Sequence, residues 1–425
     1  MVVVAVLVAM VLTAAMLKWR AQHARHRAAP PIAARSAPAG GDEPMQGSGA
    51  GLGAGPPPEG PPATVGSRML HGDARHTHRA AGRAPTSPPA VAWTRDVGAP
   101  IEAQVVTSSD EQTLYVASLG GTLTALSAAD GAERWKVDLG DRIYATPCVA
   151  DDGTIYVGTD AKKIVAVSAD GKVKWSLETE GDADSGPALS ADGTLVFAAG
   201  RTVYAVTPLG QVRWRFAAKR KVFTAPAITQ GGRVIFGSQD HHAYALLPDG
   251  RQAWSADLGA DVDGAAAIGD DGGVFVGTDG DEVIRLDAED GRIVWRAGLG
   301  GFVRGTLSVA RDGDVLAGVY GPMPRAVRLG AEDGRVRGDF PVQGTGAQAF
   351  GVHGGALEDD AGTLLFGAQD DEVYAVGANG RLLWHFTTGQ DVDAPITLLS
   401  RGTVVVASDD GKVRALAAPS SHEVP

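Results

Sequence analysis

Tryptophan recurs in this chain at a nearly constant interval. Trp93, Trp135, Trp175, Trp214, Trp254 and Trp295 are separated by 42, 40, 39, 40 and 41 residues, and Trp384 follows 89 residues later, two periods with an insertion. The matching position in the gap is Gly338, in the stretch Asp333-Gly-Arg-Val-Arg-Gly338. A fixed period near 40 residues marks an architecture made by stacking one supersecondary unit. Each tryptophan closes a block of similar make-up. Thr113-Leu-Tyr-Val, Leu123-Thr-Ala-Leu, Asp130-Gly131 and Trp135 return as Thr154-Ile-Tyr-Val, Val165-Ala-Val, Asp170-Gly171 and Trp175, with further copies ending at Trp214, Trp254, Trp295 and Trp384.

Within a unit, four short apolar-alternating runs are divided by turn residues; in the first they cover 103–108, 113–117, 122–127 and 133–137. The dipeptides Asp152-Gly153, Asp170-Gly171 and Asp192-Gly193 are tight-hairpin signals. Four antiparallel strands per 40 residues make a propeller blade. A lone blade cannot bury both faces, so neighbours must close into a ring. The tryptophans Trp93, Trp135, Trp175, Trp214, Trp254, Trp295 and Trp384 are then read as structural plugs between blades. The last unit, 403–408 and 413–416, ends without a tryptophan strand, whereas Val91-Ala-Trp93 stands with no blade before it. Pairing the two completes an eighth blade and removes an exposed edge. The expected fold is all-β, an eight-bladed β-propeller of four-stranded antiparallel blades whose last blade is closed by the N-terminal strand.

The predicted organisation follows from composition. Met1 to Leu17 is apolar apart from Thr13 and is followed by Lys18, Arg20, Arg25 and Arg27. As a helix it would rise about 25 Å, slightly short of a bilayer core. Residues 1–20 are read as a signal anchor or signal peptide that reaches the membrane through 1–17. Basic residues behind the apolar run would hold the propeller in the cytoplasm. A start site further upstream would restore a basic head and place it in the periplasm, at the inner membrane of a bacterium. The segment has no lipobox cysteine, so a lipid anchor is not expected. Residues 21–66 form an Ala/Pro/Gly-rich flexible linker, 67–89 a lead-in segment, 90–418 the propeller and 419–425 a tail.

Charge and cysteine content exclude several functions. Residues 1–84 carry +5, which leaves −17 on the remainder of a chain whose formal charge is −12. Such a domain repels phosphate backbones, so nucleic acid is not an expected partner. Cys148 is the single cysteine, which rules out an intramolecular disulfide and any CxxC motif; its apolar setting suggests a buried thiol.

The consensus Tyr-Val, Leu-Tyr-Ala-Leu, Asp-Gly and Trp resembles the repeat named after pyrroloquinoline quinone (PQQ), and it covers about residues 90–418. The stretch Met69-Leu-His-Gly-Asp-Ala-Arg-His-Thr-His-Arg79 resembles that family's lead-in segment. WD40 and kelch signatures are missing. The resemblance implies a propeller, and the family includes PQQ dehydrogenases as well as the scaffold lipoprotein of the outer-membrane β-barrel assembly machinery. In the dehydrogenases the quinone lies between a tryptophan floor and a disulfide of adjacent cysteines, an acidic residue and an Asn hold Ca²⁺, and an Asp is the base. This chain departs from that pattern. Seven of its eight tryptophans are committed to blades, Trp19 lies beside the apolar segment, and its one Asn, Asn379, sits in the turn Gly377-Ala-Asn-Gly380. No catalytic, cofactor-binding or metal-binding residue is therefore assigned. The expectation is a non-catalytic binding or scaffold propeller of the bacterial envelope with an envelope protein as partner. The alternatives are a PQQ- and Ca²⁺-dependent oxidoreductase of reduced form and a small-ligand or glycan binder.

Gly-x-Ser-x-Gly, zinc-binding His pairs and a Walker loop are absent. His241-His242 lies in a hairpin, and Asp279-Gly-Asp281 lacks calcium-loop spacing. A more pointed pattern emerges on counting back from each hairpin between the first two strands. Two aligned positions in the expected innermost strand read Arg142/Tyr144, Asp182/Asp184, Lys221/Phe223, Asp261/Asp263, Phe302/Arg304, Gly351/His353 and Asp391/Asp393. Basic and acidic blades alternate, and His353 interrupts the series. Positions two apart share a face, so these residues are expected to line one channel mouth and to bind a polar ligand, a cation or a peptide. A second candidate is the stretch from Tyr320 to Pro324 with the glycine-rich run 344–355.

Overall fold

The computed structural model describes residues 66–342 and 350–419. The expectations for residues 1–20 and for most of the linker 21–66 lie outside them, as does most of the tail. Among the described residues no helix is long and apolar enough to cross a membrane.

The described chain forms eight four-stranded antiparallel sheets. We number them as blades 1 to 7, covering residues 106–138, 148–178, 188–217, 227–257, 267–298, 308–341 and 357–387. Blade 8 combines Thr397–Leu398, Val404–Ala407 and Lys412–Ala417 with the N-terminal strand Ala90–Asp96. Trp93 pairs with Ala415 and Asp96 with Lys412 across that closure. Within each blade the inner strand has two residues and the outer strand six or seven. The expected inner strand over 103–108 is thus shortened to Val106–Thr107. Proline or glycine stands shortly before most inner strands, as at Pro147, Gly186, Pro226, Gly264 and Pro395, where ladder pairing is weakened.

The core is divided into slabs between blades. Eight buried apolar clusters each span one blade–blade interface: Tyr115 with Val157 between blades 1 and 2, for example, and Leu365 with Val404 between 7 and 8. The tryptophans sit at the rims of these slabs. Trp135 Nε1 donates to Ala169 O (2.8 Å) and Trp254 Nε1 to Ala288 O (2.9 Å), both on the next blade's outer hairpin. Trp93 does the same to Ala128 O (3.3 Å) across the closure. The receiving turns need glycine: a Cβ on Gly131 would stand 2.5 Å from the Trp93 ring, and Gly131 has φ +69°. At blade 6, where Gly338 replaces tryptophan, Phe340 packs into the interface with blade 7.

Residues 66–84 belong to no blade. They form a strap along the inner strands, which have no fifth strand to pair with. Thr107 N–H donates to Ser67 O, Val149 to Arg68 O, Ile228 to Ala74 O, Ile268 to Arg75 O, Val309 to Thr77 O and Glu358 to His78 O, at 2.6–3.1 Å. Six blades thereby satisfy an inner-edge amide that would otherwise be orphaned in the channel. Ion pairs fix the strap to hairpins that follow the inner strands: Arg68 with Asp151, and Arg75 and Arg79 with Asp270.

Candidate functional site at the channel mouth

The opposite end of the channel is the mouth. The sequence-predicted pairs do not lie in the inner strands, as expected, but in the extended irregular stretch just ahead of them. The alternation survives that correction. The residue between each pair is buried: Ile143, Ala183, Val262, Val303, Val352 and Val392 are 0 % exposed and Val222 is 2 %. Its two neighbours therefore point towards the mouth.

Each blade adds a third residue to this rim, at the hairpin between its second and third strands. Asp160 N–H donates to Arg142 O, Gln239 to Lys221 O, Asp279 to Asp261 O, Tyr320 to Phe302 O, Gln369 to Gly351 O and Asp409 to Asp391 O, at 2.9–3.1 Å. Counting back along one strand could not reveal these residues. Blade 1 was missed altogether, because its first hairpin carries Glu111 at φ +53° where other blades have glycine. The equivalent pair there is Pro100/Glu102.

From blade 2 to blade 6 three rim cations each take one carboxylate. Arg142 Nη2 lies 3.0 Å from Asp160 Oδ2, Lys221 Nζ 2.9 Å from Asp184 Oδ2, and Arg304 makes a two-pronged contact with Asp279 (2.8 and 2.7 Å). The three cations also lie over aromatic rings of their own blades, Arg142 on Tyr144, Lys221 on Phe223 and Arg304 on Phe302. His241 Nε2 is 3.1 Å from Asp261 Oδ1, whereas His242 Nδ1 bonds Asp240 O; the two imidazoles thus serve different partners. Tyr320 OH bonds His353 Nδ1, so blade 6 reaches blade 7 through a neutral contact.

Blades 7, 8 and 1 place no Lys or Arg at the equivalent rim positions. Glu102, Asp391, Asp393 and Asp409 gather there, and the one neutral donor among their contacts is Gln369 Nε2 to Asp393 Oδ1 (2.9 Å). Burial, then the Asp393 and Asp391 charges, push Asp409 up to about 8. Burial, then Asp393 and Asp371, push Asp391 up to about 6. Burial together with Asp393 and Asp409 holds Glu102 well above the carboxylate range. Two more rim carboxyls are raised elsewhere, Asp160 to about 7 by burial and the adjoining Asp184, and Asp263 to about 6 by burial and Asp279. The Oδ1 atoms of Asp160, Asp184, Asp263 and Asp409 are shut away from solvent without a hydrogen-bond partner. For Asp160 and Asp184 a single shared proton accounts for the arrangement.

The second sequence candidate lies beside this arc. Met323 is 67 % exposed at the tip of its hairpin, and Gly321 N–H bonds Phe350 O. Residues 343–349 of the glycine-rich run lie outside the described residues.

The quinone pocket implied by the dehydrogenases is not matched by these residues. Cys148 is buried in an inner strand, and burial drives its thiol far above the usual range. Asn379 Oδ1 accepts from Arg381 N–H in an outer hairpin. The seven blade tryptophans donate to neighbouring-blade or lead-in carbonyls on the outer side of the ring, Trp384 to Pro85 O. No step through a quinone is derived. Among the described residues no group of three His, Cys, Asp or Glu is placed to hold a metal.

Comparison with known proteins bears on the whole ring. The family described as outer membrane protein assembly factor BamB matches residues 87–185, 162–247 and 239–338. The Escherichia coli protein of that name is 26 % identical over 114 residues, 24 % of this chain and 29 % of its own length, so the alignment spans under a third of that relative. Among solved structures, BamB from Moraxella catarrhalis superposes with a TM-score of 0.65 at 15 % identity, covering 77 % of this chain and 99 % of that one. Quinohemoprotein alcohol dehydrogenase from Comamonas testosteroni gives 0.70 at 13 % identity, covering 86 % and 82 %. At such identities both structures speak to fold alone.

Proposed function

Because the chain belongs to the family of outer membrane protein assembly factor BamB, we propose that it is a non-catalytic binding scaffold of the cell envelope, tethered by its N-terminal segment and docking an envelope protein at the channel mouth. The observation that carries this reading is the contrast within the rim. Blades 2, 4 and 6 supply the cations Arg142, Lys221 and Arg304 to rim carboxylates, while blades 7, 8 and 1 place no Lys or Arg at the rim positions and crowding raises Glu102, Asp391 and Asp409 there. Negative charge held in a concave, poorly solvated rim attracts a positive group and rewards its desolvation. Lysine or arginine side chains of a partner protein meet that demand, with Tyr144 of blade 2 and Phe302 of blade 6 flanking the arc.

The test is site-specific photocrosslinking in intact cells, with the probe at exposed His353 or at Arg142. The reading expects crosslinks to envelope proteins that disappear in an Asp391→Asn/Asp393→Asn background. Absence of any mouth crosslink, together with saturable Ca²⁺-dependent binding of PQQ to the purified protein, would favour the oxidoreductase reading instead.

A further inference from the structure

Three histidines anchor the strap, all of them inside the ring. His71, His76 and His78 are 0 %, 1 % and 3 % exposed. All three have left-handed backbone, with φ of 55°, 58° and 56°. Histidine tolerates that region better than most residues, but it still costs free energy that the surroundings must offset. The His71 and His78 rings stack at 3.9 Å, and His76 meets His71 edge-on at 6.3 Å.

Their nitrogens tie the strap to four blades. His76 Nδ1 donates to Ala266 O of the blade 5 lead-in (2.8 Å) and His78 Nε2 to Ile396 O ahead of blade 8 (3.0 Å). His71 Nδ1 faces Leu307 O (3.1 Å) and Nε2 faces Gly354 O (2.9 Å), at blades 6 and 7, and a neutral ring donates to only one of the two. The charged groups facing the rings are the rings themselves and Asp73, which opposes His76. The other ions around the strap are already engaged. Asp270 holds Arg75 and Arg79, Asp151 holds Arg68, Asp359 and Asp360 accept from Ala84 and Gly82 N–H, Glu358 accepts from Arg311 N–H, and Glu111 bonds Ser400. A stacked pair of imidazoles without a carboxylate beside it has room for neutral rings and none for two cations.

We propose that residues 66–84 are an acid-released latch, closed while the stacked His71–His78 pair carries at most one charge and His76 is neutral, and opened when further protons are forced onto these rings. The direction follows from linkage. A histidine freed into water titrates near 6.5, whereas burial holds His78 at about 4 and the other two lower than their usual value. The closed strap is favoured fully above pH 6.5, and that preference is lost as pH falls towards the closed-state values. Asp270 stays ionised through this window, because Arg79 and Arg75 hold its carboxyl below the usual range against the effect of burial. Release would uncover the inner-strand amides of six blades, edges to which an extended chain can add.

Hydrogen exchange on the full-length protein tests the latch. Between about pH 7.5 and pH 5, protection of the Val149, Ile228, Ile268 and Val309 amides, corrected for intrinsic rates, should fall by about 30-fold from His78 alone and by more with all three rings. Protection of Val157 and Val165 in the second and third strands of blade 2 should hold. His78→Gln should flatten the fall, and if that variant does not fold, the wild-type comparison decides alone. Inner-strand amides that track Val157 and Val165 at every pH would overturn the proposal.

Discussion

The two ends of the channel are built from the same repeat and solve opposite problems. At the strap end, backbone amides of six blades find carbonyls and Arg79 donates to Val309 O, Ala310 O and Asp270, while His78 Nδ1 and Thr107 Oγ1 stay unpartnered. At the mouth, five carboxyls sit above their normal titration range and the buried Oδ1 atoms of Asp263 and Asp409 have no donor. Satisfied polar groups stabilise a fold, and unsatisfied ones are kept where something else is to complete them. The difference teaches that closure of the ring and binding by it are separated along one axis.

Breaking the strap end should have the larger effect. The Arg79 side chain is 4 % exposed, and Arg79→Ala leaves two buried carbonyls without their donor and Asp270 with Arg75 as its remaining ion-pair partner. A loss of about 2–4 kcal/mol in chemical denaturation is expected, discounted because Asp270 keeps part of its hydration. A loss below about 0.5 kcal/mol would show that the strap is an ornament on a self-sufficient ring.

At the mouth the sign reverses. A carboxyl whose folded titration point is raised stabilises below its unfolded value near 3.8, and that contribution is lost as pH climbs towards about 8 for Asp409. Asp409→Asn removes the conflict, so the variant should be more stable than wild type by about 1–2 kcal/mol above pH 8, the gain limited by coupling among the four carboxyls. Equal stability at pH 5 and pH 9 in melts of both proteins would contradict the crowded-arc picture.

The ring itself was legible in the sequence because tryptophan spacing, Asp-Gly hairpins and the split last blade all report local geometry that repeats. The seven rim pairs were legible for the same reason, since a buried residue such as Val262 fixes the face of Asp261 and Asp263. What escaped was whatever the repeat does not encode. Glu102 was hidden by a non-glycine hairpin, and Asp409 and Gln369 reach the rim from another strand. The strap's carbonyls pair with residues up to 280 positions away, as His78 does with Glu358.

The most direct test of the binding account is the affinity of the full-length protein for a fluorescent heptalysine peptide, measured by anisotropy at pH 8 and at pH 6. The account predicts saturable binding at pH 8, weaker binding at pH 6 as the arc takes up protons, and loss of binding in Asp391→Asn/Asp393→Asn/Asp409→Asn, whose melting temperature is unchanged or raised. Binding that is equal in the triple variant and wild type, or no binding at either pH, would contradict it.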